Sequence, residues 1–149
     1  MLRRTPCVGI CSTTYGDLVC RGCKRFAHEI VQWNGFDPSQ RQTVWQRLLE
    51  LRAGAVGSVL EVVDEARLYR SARALGMTIG EDLAPANVAY ELLQRLQWRD
   101  TPLGLDDMGV RLVAGAAGAC PEELLVLVDR EFYARSLAQY ERNYRIPPE

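Results

Sequence analysis

Histidine is almost absent from this sequence, since His28 is the only one among 149 residues. The chain also lacks a glycine-rich phosphate loop, a Ser/His/Asp set and a helix with paired carboxylates. General acid–base catalysis uses histidine more often than any other residue, so a single one leaves little room for it. The sequence therefore does not favour an enzyme, and we expect His28 to be a surface or half-buried residue.

Long apolar stretches are missing as well. No run reaches the roughly 18 apolar residues that a membrane-spanning helix needs, and "MLRRTPCVGI" lacks the apolar region of a signal peptide. These absences predict a cytoplasmic protein without a membrane partner. The proportions of hydrophobic residues, 48%, and charged residues, 25%, are those of an ordinary globular protein.

Cysteine is scarce outside one short stretch. Four of the five cysteines follow one another with the spacing C-x3-C-x8-C-x2-C. Cytoplasmic thiols stay reduced, and an odd number of cysteines fits a disulfide framework poorly. The sequence therefore predicts a metal site, with disulfide pairing as the alternative. The predicted ligands are Cys7, Cys11, Cys20 and Cys23.

The fifth cysteine stands far from this cluster. Cys120 precedes Pro121 and follows a run of alanine and glycine, which is typical of tight packing. A cysteine at a helix N-terminus can also be reactive, because the helix dipole lowers its pKa. We expect Cys120 to be a small buried residue and not a metal ligand.

Helical patterns begin directly after the clustered cysteines. Phe26, Ile30 and Trp33 share one helical face, so we expect the second cysteine pair to open a helix over 21–33. The next helix has signals at both ends, with a capping box and a first-turn proline before it and a glycine after it. These signals are Asp37, Pro38, Gln40 and Gly54.

The remainder of the chain is also predicted to be helical, with no competing strand pattern. Helices are expected over 58–75, 84–98 and 120–144, with a shorter one over 107–117 that its glycines disfavour. The predicted fold is therefore mainly α. A small metal-binding module with two short helices, residues 1–55, precedes a helical bundle, residues 56–149.

Charge is distributed unevenly along the chain. Residues 1–55 hold eight Lys/Arg and four Asp/Glu, a net charge of +4, whereas residues 56–149 hold ten and fifteen, a net charge of −5. Basic residues near the cysteines would offset the negative charge of a four-thiolate centre. With a pI near 5.9, the chain does not favour nucleic acid as a partner, and we expect a protein partner. The basic residues near the cysteines are Arg3, Arg4, Arg21, Lys24 and Arg25.

The cysteines occur together with several flanking residues in a specific pattern. Its parts are Pro6-Cys7, Cys11, Cys20-Arg21-Gly22-Cys23, Glu29-Ile30, Trp33 and the helix from Pro38. With this pattern, residues 5–52 resemble the short bacterial proteins grouped as domain-of-unknown-function family 1289. Members of that family are often described as predicted iron–sulfur proteins, so the resemblance implies that the four cysteines hold an iron–sulfur cluster.

The identity of the metal stays open at this point. A C-x2-C pair that runs into a helix is common in structural zinc modules, and the bacterial and plant ferredoxin spacings are absent. Spacing thus favours Zn²⁺, whereas the resemblance favours an iron–sulfur cluster. The first choice predicts a structural site that supports a protein-interaction module and keeps residues 5–35 folded. The alternative predicts an iron–sulfur protein in electron transfer or an oxidoreductase.

Overall fold

The computed structural model describes residues 5–9, 11–79, 83–96, 106–113 and 121–144. Within these ranges the helices are α1 (Ala27–Gln32), α2 (Pro38–Gly57), α3 (Glu65–Ala74), α4 (Pro85–Leu96) and α5 (Pro121–Tyr144). Two strands, β1 (Leu60–Val62) and β2 (Val110–Leu112), pair antiparallel, and short 3-10 helices lie at Ser12–Tyr15, Trp33–Gly35 and Asp106–Met108. The prediction of a mainly α fold is confirmed.

Helix α2 begins as the sequence predicts. The Asp37 carboxylate accepts the N–H of Gln40 at 2.8 Å, and the Gln40 side chain accepts the N–H of Asp37 at 2.9 Å, which forms a reciprocal capping box. The helix continues beyond the predicted stop at Gly54. A glycine inside a helix costs only about 1 kcal/mol relative to alanine, and the next two residues, Ala55 and Val56, are fully buried.

The helix predicted over 58–75 is wrong in its first part. Residues Leu60–Val62 form β1, and α3 starts only after Asp64, whose carboxylate accepts the N–H of Arg67 at 3.1 Å. Strand β2 lies inside the short helix predicted over 107–117, so that helix and the expected absence of strands are wrong too. The last four residues of that predicted helix lie outside the described ranges.

Cross-strand packing explains why these two segments pair. Leu60 and Val110 are 2% and 1% exposed, while Glu61 and Arg111, which lie opposite each other in the ladder, form an exposed ion pair. Branched apolar side chains suit such a half-buried pleated surface. The partner strand lies 50 residues away in the chain, so local periodicity does not reveal the pairing.

Gly109 precedes β2 in a position that excludes a side chain. Its φ is +73°, and a Cβ would lie 2.3 Å from the carbonyl oxygen of Asp64, whereas Gly76, at φ +77°, has open space around it. We expect Gly76→Ala to lower the free energy of unfolding by about 1 kcal/mol through backbone strain alone. Gly109→Ala should lower the free energy of unfolding by clearly more than Gly76→Ala does, because the Asp64 carbonyl must also move. Urea denaturation of both variants measures this difference, and equal losses would contradict it.

Helix α5 is the longest helix in the described residues, with 24 residues. It runs from Pro121 to Tyr144 with acidic residues in its first turn, which agrees within one residue with the helix predicted over 120–144. Its buried residues include Leu124, Val128 and Phe132. Among the described residues, neither α5 nor any other helix combines the length and hydropathy that crossing a membrane demands.

Packing divides the chain into two compact units. One unit is Arg52–Glu131, and the other joins Leu2–Leu51 to Phe132–Glu149. The end of α5 therefore belongs with the cysteine segment. This division does not test where independently folding domains begin, so the predicted boundary at residue 55 stays a prediction.

Candidate metal centre

A short hairpin carries the second cysteine pair. The N–H of Cys20 donates to the carbonyl oxygen of Arg25 at 2.9 Å. At the base of the hairpin, Val19 and Phe26 pair in an antiparallel bridge. Both bridge residues are fully buried, with exposures of 0% and 1%. The cysteine pair is thus held at the tip of a hairpin whose base is part of the core.

This hairpin replaces the start of the helix predicted over 21–33. Helix α1 begins only at Ala27, so the second cysteine pair does not open a helix. Lys24 has a φ of +66°, and a left-handed residue interrupts a right-handed helix. The apolar spacing of residues 26, 30 and 33 correctly indicates the helix but not where it starts.

Two basic side chains are buried beside this pair. Lys24 is 1% exposed, and its ammonium donates to the carbonyl oxygens of Arg21 at 2.6 Å and Gly22 at 3.0 Å. Arg25 is 4% exposed, and its Nε donates to Cys23 Sγ at 3.3 Å. Two positive charges therefore lie inside the protein beside the second cysteine pair. Solvent screens a buried charge only weakly, so these charges act on the sulfur atoms more strongly than exposed ones would.

The other basic residues predicted around the cysteines differ from these two. The Arg21 side chain is 67% exposed and pairs with Asp17 at 3.2 Å. Arg3 and Arg4 lie outside the described residues. In the described part of the chain, the buried positive charge beside the cysteines thus comes from Lys24 and Arg25.

Each of the four clustered sulfur atoms accepts a backbone N–H from the residue two positions further along the chain. Hydrogen bonds to a ligand atom orient it and tune the metal that it binds. At Cys20, hydrogen bonding from the backbone of Ser12 and Cys23 and from the Cys23 thiol acts as well and lowers the pKa. The four donor and acceptor pairs are Gly9 to Cys7 at 3.4 Å, Thr13 to Cys11, Gly22 to Cys20 and Arg25 to Cys23.

These contacts change the acidity of the thiols. Burial raises the pKa of Cys20, but the N–H donors outweigh burial and bring this pKa down to about 7. The Thr13 hydroxyl, 2.9 Å from Cys11 Sγ, lowers the pKa of Cys11. Burial raises the pKa of Cys23, and contact with Arg25 offsets only part of that effect. The lowered pKa of Cys20 favours the thiolate, which is the form that binds a metal ion.

The structure brings the predicted ligands together only in part. Cys20 and Cys23 are buried and hydrogen-bonded to each other, and Cys20 interacts electrostatically with the half-buried Cys11. Cys7 is exposed, and none of these four cysteines forms a disulfide. Across the described ranges, no three or more His, Cys, Asp or Glu side chains are arranged to hold a metal ion. A single four-cysteine centre stays a prediction, as does the role of Cys120, which lies outside those ranges.

A buried ion pair adjoins the hairpin through Phe26. The Glu29 carboxylate accepts two hydrogen bonds from Arg47, at 2.5 and 2.6 Å, and one from the N–H of Phe26 at 2.8 Å. The guanidinium carbon of Arg47 lies 4.1 Å from the centre of the Phe26 ring. Glu29 is one of the residues that carry the family resemblance, but no sequence signal identifies Arg47, 18 residues later, as its partner.

Phe26 also contacts the end of α5. The ring centre of Tyr140 lies 5.2 Å from that of Phe26, and Tyr144 lies 5.5 Å away. The His28 ring lies 5.0 Å from Tyr144. His28 is exposed, which confirms that it is a surface residue. These aromatic contacts join two segments that are far apart in the sequence.

Comparison with known proteins agrees with the pattern in the first third of the chain. Residues 5–52 match the model of a family described as "Protein of unknown function (DUF1289)". This match confirms the resemblance and its extent, and the matched segment includes the four clustered cysteines, Glu29 and Arg47. No curated protein and no solved structure matches the chain.

Proposed function

We propose that Cys7, Cys11, Cys20 and Cys23 bind one Zn²⁺ ion as thiolates, in a structural site of a cytoplasmic, non-enzymatic protein. Four thiolates in a closed tetrahedral arrangement are typical of structural zinc. The reducing cytoplasm would keep the thiols available for the metal. The module around the site would bind a protein partner.

The N–H donors at the sulfur atoms carry this proposal. Each of the four sulfurs accepts an N–H from the second residue after it. A thiolate accepts hydrogen bonds more strongly than a thiol, so this arrangement favours the ionised form that binds metal. The same arrangement at both cysteine pairs supports a common role for all four.

The buried charges near the second pair support the same role. Zn²⁺ with four thiolates is formally a dianion, and burying an uncompensated charge is costly. The side chains of Lys24 and Arg25, 1% and 4% exposed, provide compensating positive charge. A buried lysine and a buried arginine next to two cysteines are expected when those cysteines are negatively charged.

Exposed apolar residues in the cysteine loop support a protein partner. Val8, Tyr15 and Leu18 are 57%, 90% and 55% exposed. Large apolar side chains that remain accessible are commonly used in protein contacts, where aromatic residues are enriched. The metal would then hold the loop in the shape that the partner binds.

Metal analysis of the full chain, purified without air, tests the metal site. We expect one zinc per chain and a colourless protein, and we expect Cys20→Ser and Cys7→Ser to lose the metal. Cys120→Ser is the matched control and should retain it. Retention of stoichiometric metal by Cys20→Ser, or a chain that takes up no metal on reconstitution, would refute the proposal.

Colour distinguishes the alternative within the same experiment. A brown protein that absorbs near 400 nm and contains iron and sulfide would identify an iron–sulfur cluster on these cysteines. The N–H···S bonds suit such a cluster too, because they tune its reduction potential. That result would replace the structural role with electron transfer or an oxidoreductase role.

A further inference from the structure

Lys24 has an unusual backbone conformation for its residue type. It is the only lysine in the chain, and its φ of +66° lies in the left-handed region. That conformation costs a non-glycine residue about 1–2 kcal/mol. The side chain is nevertheless 1% exposed, so it also loses the hydration of its ammonium. Specific contacts must offset both costs.

The contacts of Lys24 involve two consecutive peptide groups. Its ammonium donates to the carbonyl oxygens of Arg21 at 2.6 Å and Gly22 at 3.0 Å, and it also lies 5.3 Å from the centre of the Phe132 ring. Those carbonyls belong to the same peptide groups as the N–H of Gly22 and the N–H of Cys23. Backbone hydrogen bonding from Gly22 and from Cys23 lowers the pKa of Cys20, so these two N–H groups act on the Cys20 sulfur. The ammonium and the sulfur are therefore bound to the two ends of the same pair of peptide groups.

Peptide geometry makes this arrangement directional. The described chain contains no cis peptide bond, and in a trans peptide group the C=O and N–H point in opposite directions. An ammonium that holds both carbonyls on one side thus turns both N–H groups to the other side. It also polarises the two peptide groups, which strengthens their N–H donors. The ammonium on one side of the two peptide groups thus makes their N–H groups stronger donors to the sulfur on the other side.

We propose that Lys24 is a positioning residue for Cys20, and that its ammonium aims the N–H groups of Gly22 and Cys23 at Cys20 Sγ. The metal part of this inference rests on the proposed function, in which Cys20 is a ligand. The geometric part holds for the metal-free chain. Lys24 therefore orients the donors around Cys20 before a metal ion binds. The backbone N–H of Lys24 donates to the carbonyl oxygen of Cys20 at 2.8 Å and closes the same turn.

Titration of the full chain with Co²⁺, followed by the visible absorption of cobalt thiolate, tests this role. Lys24→Met keeps the apolar stem and removes the ammonium. We expect it to weaken Co²⁺ binding by about ten-fold or more, the effect typical of losing a residue that orients a ligand. Arg21→Met is the matched control, since it removes a neighbouring positive charge from a side chain that is 67% exposed. It should bind Co²⁺ nearly as wild type does.

Amide exchange measured by NMR on the metal-free chain provides a second readout. In Lys24→Met the amides of Gly22 and Cys23 should exchange faster than in wild type, while those of helix α2 remain unchanged. Unchanged exchange of these two amides, or unchanged Co²⁺ affinity, overturns the proposal, and so does an equal loss of affinity in Arg21→Met. If wild type takes up no Co²⁺, the proposed function fails, and the exchange comparison alone decides the role of Lys24.

Discussion

Replacing Arg47 by methionine is expected to lower the free energy of unfolding by about 3–5 kcal/mol, the usual cost of breaking a buried ion pair from one side. The Glu29 carboxylate is 7% exposed and accepts two hydrogen bonds from the Arg47 guanidinium. Without that guanidinium, a buried negative charge would keep one N–H donor, that of Phe26. The stacking of the guanidinium on the Phe26 ring would be lost as well.

Urea denaturation followed by circular dichroism measures this loss. Arg111→Met is the matched control, because the Arg111 side chain pairs with Glu61 while 66% exposed. Exposed ion pairs contribute little to stability, since water and salt screen them. We expect a small change in the midpoint for Arg111→Met and a large one for Arg47→Met. Similar midpoints for the two variants would show that the buried pair does not stabilise this unit.

Removing the metal from the loaded protein is expected to unfold part of the cysteine segment. Structural zinc contributes on the order of 10 kcal/mol to the folding of small modules. Before the buried Val19, the large apolar residues Val8, Tyr15 and Leu18 are more than half exposed, so this part of the loop gains little from burial. Ordering a residue costs roughly 1–2 kcal/mol, and the metal would supply the difference.

The hairpin contacts narrow the region in which we expect this effect. The sequence alone predicts that residues 5–35 depend on the metal, but residues 18–27 have their own ladder of hydrogen bonds and a buried base. We therefore expect chelation to remove amide protection from residues 5–17 most strongly. Hydrogen exchange read segment by segment measures this, with α3 and α4 as internal references that should not change.

Two results of that experiment would contradict the expectation. If protection over residues 5–17 is the same before and after chelation, the site is not structural, and the iron–sulfur alternative becomes the better hypothesis. If α3 and α4 lose protection to the same extent, the metal stabilises the whole chain and not a module. Cys120→Ser, treated in parallel, controls for an effect of any other thiol.

Local signals in the sequence were sufficient to predict where several helices begin or end. The capping box of Asp37 and Gln40 forms as predicted, and α5, Pro121–Tyr144, agrees within one residue with the helix predicted over 120–144. The helix predicted over 58–75 ends close to its predicted last residue, since α3 ends at Ala74 and Gly76, with a φ of +77°, follows. Such signals act between residues a few positions apart, so a short window of sequence contains both partners.

The candidate site was predictable only as a set of residue types. Spacing and the predicted compartment indicate four cysteines with basic neighbours, and the family match covers the segment that contains them, residues 5–52. The conformation of Lys24 was not predictable, because a left-handed lysine is unfavourable by itself. In the folded protein this conformation occurs together with hydrogen bonds from the ammonium to the carbonyl oxygens of Arg21 and Gly22.

The sequence by itself determined that the fold is mainly α and where helix α2 begins, because a helix start depends on neighbours in the chain, and it supplied the four cysteines of the candidate site as a prediction. Tertiary structure alone decided the pairing of β1 with β2, the ion pair of Glu29 with Arg47 and the packing of Tyr140 against Phe26. Each of these contacts joins residues that are distant in sequence, and its energy exists only after burial has brought the two partners together.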